Sequence, residues 1–167
     1  MDIYFLRHAI AGERDQDKYP DDTLRPLTKK GAKKLQRIAE GMLALDLSFD
    51  VIYTSPLVRA KQTAEIITRV FNADRKLRET DRLAPGGDPR ELIDMINRAR
   101  DEHASVLLVG HEPYLSDLIS VLVVGDSSLP LTMKKGGVCK LSVGALKYGK
   151  CASLEWLLPP SICISIK

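Results

Sequence analysis

The apolar run at residues 106–109 (VLLV) most constrains the fold that this chain can adopt. An apolar segment without alternation is typical of a strand that is buried on both faces, as in the centre of a parallel sheet. The run ends in Gly110 and His111, and helical spacing of apolar residues begins at Leu115. A buried strand that leads directly into a helix is the repeating unit of α/β proteins, so this segment predicts a parallel sheet.

The same succession of strand and helix begins at residue 51. Residues 51–54 (VIYT) are mainly β-branched or aromatic, which favours a strand. Ser55 and Pro56 follow directly, and we interpret them as an N-cap and the first helical residue. Thr28 and Asp88 are predicted to cap two further helices, the second with a proline directly after it.

The last third of the chain has a different pattern. Residues 138–143 and 153–157 alternate partially and are separated by a stretch that contains glycine, which predicts an antiparallel hairpin at a sheet edge.

The predicted strands and helices together indicate an α/β fold with a three-layer, open, mainly parallel sheet, helices on both faces and this edge hairpin near the C-terminus. A length of 167 residues suits one core, so we expect a single domain over residues 1–167.

Charge and composition limit the classes of partner. The net charge is only +3 and both signs are plentiful, so we expect neither a nucleic-acid partner nor a membrane surface. The N-terminus lacks the features of a signal peptide, and we expect a cytoplasmic protein. The three cysteines lack a CxxC spacing, so we expect reduced thiols at Cys139, Cys151 and Cys163. We expect the protein to require neither a metal nor a cofactor.

Basic side chains follow the predicted strands at the point where each strand ends. Arg7 and His8 follow the apolar residues 3–6, His111 follows the central strand, and Arg59 lies in the first turns of the helix after residue 54. The carboxyl ends of parallel strands meet at one edge of an open sheet, where such folds bind ligands. Guanidinium groups bind phosphate or carboxylate, and imidazole can act as nucleophile, base or donor. The pattern therefore predicts an anion site.

Five segments of the chain resemble the histidine phosphatase superfamily, and in particular its compact SixA-type phosphohistidine phosphatases. The segments are FLRHA at 5–9, RPLTKKG at 25–31, SPLVRAKQTAE at 55–65, LAPGGD at 83–88 and VGHEP at 109–113. Together they span about two thirds of the chain, which has no room for the helical insertion of the larger members. The resemblance implies the phosphoglycerate-mutase-like fold.

The resemblance also implies roles for the basic residues. His8 is implied as the catalytic nucleophile that takes the phosphoryl group, and Arg7, Arg59 and His111 as the catalytic phosphate-binding pocket. Phosphoryl transfer spreads negative charge over the equatorial oxygens, so fixed cationic donors around them stabilise the transition state. Water would then hydrolyse the phosphohistidine, and no metal is required.

The chain departs from the superfamily pattern in two respects. Ala9 stands where the first motif often has glycine. The acid that protonates an alkoxide leaving group in many members has no obvious counterpart. The candidates for a general acid are Glu79, Asp81 and Glu112, and the weak P–N bond of a phosphoramidate suits a site without a defined acid.

Two basic residues outside this set have open interpretations. Arg25, in the RPLTKKG segment, is either a phosphate-binding residue over the pocket mouth or a loop residue in an ion pair with Asp21 or Asp22. His103 lies in a charged stretch before a strand and is predicted to be a solvated loop residue.

These observations predict a metal-independent phosphatase that forms a phosphohistidine intermediate on His8. The expected substrate is phosphohistidine in a protein partner, such as a phosphotransfer domain. A phosphatase for small phosphate esters or nucleotides is an alternative, and a mutase is disfavoured because the chain lacks room for a closing lid. A non-catalytic phosphate-binding module is a further alternative, although such a module has no use for a nucleophile.

Overall fold

The computed structural model describes residues 1–166 and contains one mixed sheet. Its strands are β1 (Asp2–Arg7), β2 (Val51–Thr54), β3 (Leu77–Glu79), β4 (Ser105–Gly110), β5 (Val138–Val143) and β6 (Ala152–Leu158). The helices are α1 (Lys29–Ala44), α2 (Val58–Val70), α3 (Pro89–Arg98), α4 (Tyr114–Val124) and α5 (Pro160–Ser165). Short 3-10 turns lie at Asp22–Leu24, Asp74–Lys76 and Asp81–Leu83.

The strand order is β3-β2-β4-β1-β5-β6. The first four strands are parallel, with β4 between β2 and β1, and β5 and β6 add an antiparallel hairpin next to β1. The predictions of a mainly parallel sheet and of an antiparallel edge hairpin are both confirmed. Because β4 is flanked by strands on both sides and by helices on both faces, its apolar residues 106–109 are almost fully buried.

Two apolar layers cover the two faces of the sheet. One contains residues of α1, α2 and α5 packed on alternate strand residues: Tyr4, Leu6, Ile52, Leu107 and Val109. The other contains residues of α3 and α4 packed on the intervening strand residues: Ile3, Phe5, Val51, Val106 and Leu108. Successive side chains of a strand point to opposite faces, and this alternation produces the predicted arrangement of three layers.

Two of the predicted helix caps are confirmed and one is wrong. The Thr28 hydroxyl accepts a hydrogen bond from the Gly31 amide at 2.9 Å, and the Asp88 carboxylate accepts one from the Arg90 amide at 2.8 Å. Ser55 is not an N-cap, because α2 begins three residues later at Val58. The Ser55 side chain is fully buried at the end of β2, where it contacts a histidine from another strand end.

Helix α1 lies close to the segment that follows β1. A Cβ atom on Gly31 would overlap the carbonyl oxygen of Ile10, and one on Gly41 would overlap the carbonyl oxygen of Cys163 in α5. The first contact fixes the loop that leaves the carboxyl end of β1. Helix α5 completes this layer although no pattern in the sequence predicted it. Within residues 1–166, none of the helices has both the length and the apolar character required to span a bilayer.

Candidate active site

A pocket of about 700 Å³ opens at the carboxyl ends of β1, β2 and β4. The structure brings together in it all four of the basic residues singled out above, with Arg25 and Glu112 beside them. The members of this set are Arg7, His8, Arg25, Arg59, His111 and Glu112. Each comes from a strand end or from the segment that follows one, as expected for a ligand site in an open α/β sheet.

His8 is oriented by backbone carbonyl groups. Its ring nitrogen Nδ1 lies 2.7 Å from the carbonyl oxygen of Ala9, and its backbone amide donates to the carbonyl oxygen of Gly110 at 3.0 Å. A carbonyl oxygen only accepts hydrogen bonds, so Nδ1 carries the proton and Nε2 carries a lone pair. Burial lowers the pKa of His8 to about 4, and the nearby charges of Arg59 and Arg7 contribute to this lowering. The imidazole is therefore neutral near pH 7.

His111 lies beside His8, with 5.1 Å between the ring centroids. Its Nε2 atom is 2.8 Å from the Ser55 hydroxyl, and that hydroxyl accepts from the Leu57 amide at 3.3 Å. Because this hydroxyl already accepts one hydrogen bond, we assign the tautomer in which it donates to Nε2 and the imidazole proton lies on Nδ1. Burial, followed by the proximity of His8 and Arg59, lowers the pKa of His111 to about 3. This second imidazole is also neutral, and its Nδ1–H is a hydrogen-bond donor.

The two flanking arginines are fixed by different groups. Arg7 donates from Nη1 to the carbonyl oxygen of Met133 at 2.7 Å. Arg59, which is 4 % exposed, donates from Nη1 to the carbonyl oxygen of Asp22 at 2.8 Å and pairs through Nη2 with the Asp22 carboxylate at 3.1 Å. Both side chains are therefore held in one geometry by groups outside the pocket.

Several buried donors of the pocket have no protein partner. Within residues 1–166, no acceptor is hydrogen-bonded to Nε of Arg7, Nε of Arg59 or Nδ1 of His111. A buried donor without a partner costs on the order of 1–3 kcal/mol, so a cluster of such donors at one site requires an explanation. Three donors at one site, two of them on cationic groups, are suited to an anion with several acceptor oxygens.

Asp22 links two arginines of the pocket. Its carboxylate pairs with Nε of Arg25 at 2.8 Å as well as with Arg59, and Arg25 also donates from Nη1 to the Gly12 carbonyl oxygen at 2.6 Å. Partial burial would by itself raise the pKa of Asp22, but the hydrogen bond from Arg25 and the charge of Arg59 hold that pKa below its ordinary value. The ion pair with Asp22 is therefore confirmed, and Arg25 also lines the pocket, so that its binding of phosphate stays a prediction. The neighbouring Asp21 instead accepts from the Thr23 amide at 2.9 Å.

The three candidate acids are separated by the fold. Glu79 is exposed at the end of β3, where it pairs with Lys61 at 2.6 Å, and Asp81 is exposed beside a different depression. Only Glu112 lines the pocket. One of its carboxyl oxygens accepts from the Ser116 hydroxyl and the other is buried without a partner. Burial raises the pKa of Glu112.

Supporting contacts around the pocket were not predicted from the sequence. The Thr63 hydroxyl accepts from the Ala9 amide at 3.0 Å and donates to the Arg59 carbonyl oxygen at 2.7 Å, so it joins the segment after β1 to α2. Ser55 orients His111, and Asp22 orients Arg59. Ser55 and Thr63 both lie in the segment 55–65 that carries the family resemblance, which is the only signal that pointed toward them.

The sequence and the fold of this chain are similar to those of known proteins. Residues 3–85 match the histidine phosphatase superfamily (branch 1). An uncharacterised protein of Picosynechococcus sp. is 34% identical over 95% of this chain and 100% of its own length. Phosphohistidine phosphatase SixA of Escherichia coli is 27% identical over 76% of this chain and 77% of its own length.

The agreement extends to a solved structure. The protein histidine phosphatase SixA complexed with tungstate has a TM-score of 0.83 and 22% sequence identity to this chain, and the match covers 96% of this chain and 98% of that one. This similarity shows that the two folds are the same over nearly their whole length. The sequence matches show that the chain belongs to the histidine phosphatase superfamily.

Proposed function

We propose that this chain is a metal-independent phosphatase in which His8 forms a covalent phosphohistidine intermediate, and that its substrate is phosphohistidine in a protein partner such as a phosphotransfer domain. One observation carries the proposal. The Nδ1–H of His8 donates to the Ala9 carbonyl oxygen, which leaves the lone pair of Nε2 available in a pocket that contains unpartnered cationic donors. A neutral, oriented imidazole is the form required of a nucleophile.

The first step transfers the phosphoryl group to the enzyme. The lone pair of His8 Nε2 attacks phosphorus, an N–P bond forms, and the bond from phosphorus to the substrate nitrogen breaks. The electron pair of the broken bond stays on the substrate imidazole, which takes up a proton. Arg7, Arg59 and the Nδ1–H of His111 stabilise the negative charge on the phosphoryl oxygens, and they need little rearrangement because their positions are already fixed.

The second step regenerates the enzyme. Water attacks phosphorus, an O–P bond forms, and the electron pair of the N–P bond returns to His8 Nε2. Inorganic phosphate leaves with the oxygen of the water, and a proton is released. The hydrogen bond between His8 and Ala9 keeps the same nitrogen directed at phosphorus in both steps.

Glu112 is the one candidate acid in a position to assist the leaving group. It lines the pocket, and its raised pKa favours the protonated form that an acid requires. We assign it an auxiliary role. The P–N bond of phosphohistidine is weak and the departing imidazole can take its proton from water, so this leaving group needs less help from an acid than an alkoxide does. Glu79 and Asp81 take no part in this proposal, since neither lines the pocket.

Phosphohistidine is supported as the substrate by two observations. The relative with 27% identity is a phosphohistidine phosphatase by name. In addition, exposed residues line the pocket entrance, among them Glu13, Arg14, Pro85 and Lys135, so that a phosphorylated side chain on a protein surface can enter. Arg25 lines the pocket as well, with its Nε and Nη1 atoms bound to Asp22 and Gly12.

A panel of substrates tests the proposal. Wild-type enzyme and the His8→Ala variant are assayed on a phosphohistidine peptide, a phosphohistidine protein, an aryl phosphate and an alkyl phosphate. We expect efficient hydrolysis of the phosphohistidine substrates, slower hydrolysis of the aryl ester and poor hydrolysis of the alkyl ester. Preference for small esters would instead identify a small-molecule phosphatase, and binding of phosphate without any turnover would identify a non-catalytic module.

A further inference from the structure

A second depression adjoins the active-site pocket and shares Arg7, Ile10 and Lys135 with it. Its volume is about 560 Å³, and Lys34 from α1 and Lys134 complete its charged wall. We call this depression the lysine groove. Because the two depressions have residues in common, a ligand whose phosphoryl group lies in the pocket can extend into the groove without leaving the surface.

The lysine pair of the groove is held on a rigid turn. The Gly137 amide donates to the Lys134 carbonyl oxygen at 2.6 Å, and Gly136 has a φ of +79°, which only glycine adopts without strain. The turn is fixed to the active site because the Gly136 amide donates to the Arg7 carbonyl oxygen at 3.0 Å. Met133, directly before the turn, is fully buried and accepts from the Arg7 guanidinium. The backbone that carries Lys134 and Lys135 therefore has a defined position relative to the phosphate pocket.

The charges of the groove are not compensated by the protein. Within residues 1–166, the ion pairs at 4.0 Å or less involve neither Lys34, Lys134 nor Lys135. Among the described residues, those that line the groove include no acidic side chain. Three ammonium groups that lack carboxylate partners and lie in one depression create a local positive potential on a chain whose net charge is only +3.

We propose that the lysine groove binds carboxylate groups of the protein partner on the residues that flank its phosphohistidine, an inference that rests on the proposed function. A second phosphate group fits less well, because phosphate sites have convergent donors, as the pocket itself has. The groove instead is lined by ammonium groups on long lysine side chains, and its volume of about 560 Å³ exceeds that of one small anion. Such a surface complements several carboxylates spaced along a peptide segment.

The expected size of the effect follows from the exposure of the lysines. Each exposed ion pair contributes little and is screened by salt, so two or three together should change affinity by about fivefold to tenfold at low ionic strength. At an ionic strength of about 0.5 M the effect should nearly disappear, because the Debye length is then only about 4 Å.

Two synthetic peptides of equal length test the inference. Each carries one triazole phosphonate, a stable analogue of phosphohistidine, flanked by glutamates in one peptide and by glutamines in the other. Their dissociation constants are measured by fluorescence anisotropy on the wild type, on K134Q/K135Q and on the matched control K147Q/K150Q. Lys147 and Lys150 are exposed on the loop at the opposite end of β5.

We expect the wild type and K147Q/K150Q to prefer the glutamate peptide by about fivefold to tenfold at low salt, and K134Q/K135Q to bind both peptides alike. Equal affinity of the wild type for the two peptides would overturn the inference, as would a preference that survives in K134Q/K135Q. A sugar bisphosphate serves as a further probe. If K134Q/K135Q loses affinity for this compound while it keeps the peptide preference, the groove is a second phosphate site and the inference is wrong.

Failure of the proposed function is recognised separately. The same two peptides with genuine phosphohistidine are offered to the wild type as substrates beside an aryl phosphate. Hydrolysis of the aryl phosphate without hydrolysis of either peptide would contradict the proposed substrate, whereas the anisotropy measurement reports on the groove alone because the analogue is not hydrolysed.

Discussion

The two sides of the candidate active-site pocket are built in different ways. On the β1 side, Arg7 and His8 are held by the carbonyl oxygens of Met133 and Ala9. On the α2 side, Arg59 is held by a carboxylate, that of Asp22, in addition to a carbonyl oxygen. The first side depends on the backbone path of the sheet, and the second depends on one side chain in the loop between β1 and α1.

This difference affects the charge as well as the geometry. The carboxylate of Asp22 offsets part of the positive charge of Arg59 and Arg25, whereas Arg7 has no carboxylate within 4.0 Å among the residues described. The β1 side therefore contributes an uncompensated positive charge and the proposed nucleophile, whereas Asp22 partly offsets the positive charge of the α2 side. Substitutions on the two sides should accordingly have different consequences.

Loss of the proposed nucleophile on the β1 side, His8, should have the largest effect. We expect His8→Ala to lower turnover of an aryl phosphate by at least about 10³-fold, because no other group can form the covalent intermediate. Binding of inorganic phosphate, measured by calorimetry, should remain because Arg7, Arg59 and His111 still supply donors. Activity above about one percent of wild type would exclude His8 as the covalent group.

Loss of a guanidinium on the α2 side should have the next largest effect. We expect Arg59→Gln to lower kcat/KM by about 10²-fold or more, as is typical when a preorganised donor to a developing negative charge is removed.

Adding Asp22→Asn to the Arg59→Gln variant should strengthen phosphate inhibition severalfold, because the remaining carboxylate repels the anion. The same addition to Arg7→Gln should weaken phosphate inhibition further. If Asp22→Asn changes phosphate inhibition in the same direction in the Arg59→Gln and Arg7→Gln variants, the two sides of the pocket do not differ in charge compensation.

Asp22→Asn in the otherwise wild-type enzyme should have an intermediate effect. We expect kcat/KM to fall about tenfold, because the hydrogen bonds to two guanidinium groups lose their charge and Arg59 is held less firmly. Asp17→Asn is the matched control, since Asp17 is exposed in the same loop and belongs to none of the ion pairs described. An equal fall in both variants would assign the effect to the loop in general.

Glu112→Gln should have a small effect on the proposed substrate. We expect phosphohistidine turnover to change less than about tenfold, whereas a required general acid contributes about 10² to 10⁴. Glu79→Gln and Asp81→Asn serve as controls at exposed positions outside the pocket, and they should leave turnover unchanged. Efficient hydrolysis of an alkyl phosphate that collapses only in Glu112→Gln would make Glu112 a required acid and favour the small-ester phosphatase.

The smallest change is expected when pH is varied near neutrality. An ordinary histidine with a pKa near 6.5 would gain its proton between pH 7.5 and 5.5, but burial lowers the pKa of His8 to about 4 and that of His111 to about 3. Imidazole NMR signals of both residues should therefore stay nearly constant over that range.

The same lowered pKa values affect folding. Because the unfolded chain binds these protons at a higher pH than the folded chain, the free energy of unfolding should fall as the pH decreases from 6.5 through 4 toward 3. Titration of both signals near pH 6.5 would contradict this expectation.

The strand ends and their basic residues were predictable because local signals determined them. The apolar residues 106–109 required a central strand, and parallel strands necessarily bring Arg7, His8 and His111 to one edge. The caps at Thr28 and Asp88 were predictable for the same reason, since each contact spans only two or three residues of the chain.

The contacts that fix the site were less predictable because they join distant segments. Ser55 has the local sequence of a helix cap, but its hydroxyl contacts His111, which is 56 residues away. Asp22 was foreseen only as a partner of Arg25, three residues away, whereas its contact with Arg59 spans 37 residues. Glu79 was a candidate acid because it ends a strand. That strand, β3, lies at the edge of the sheet away from the pocket, and the Glu79 side chain pairs with Lys61. A single sequence does not specify such long-range pairs.

The position of β4 in the sheet has a consequence for the order of folding. Both neighbours of β1 in the final sheet, β4 and β5, are synthesised after residue 104. Before that point β2 can pair only with the short edge strand β3. During synthesis on a ribosome, Arg7 and Arg59 are therefore present long before the strand that sets their spacing has emerged. Because β4 pairs with both β1 and β2, we expect the parallel sheet and the pocket at its edge to form only after β4 has emerged.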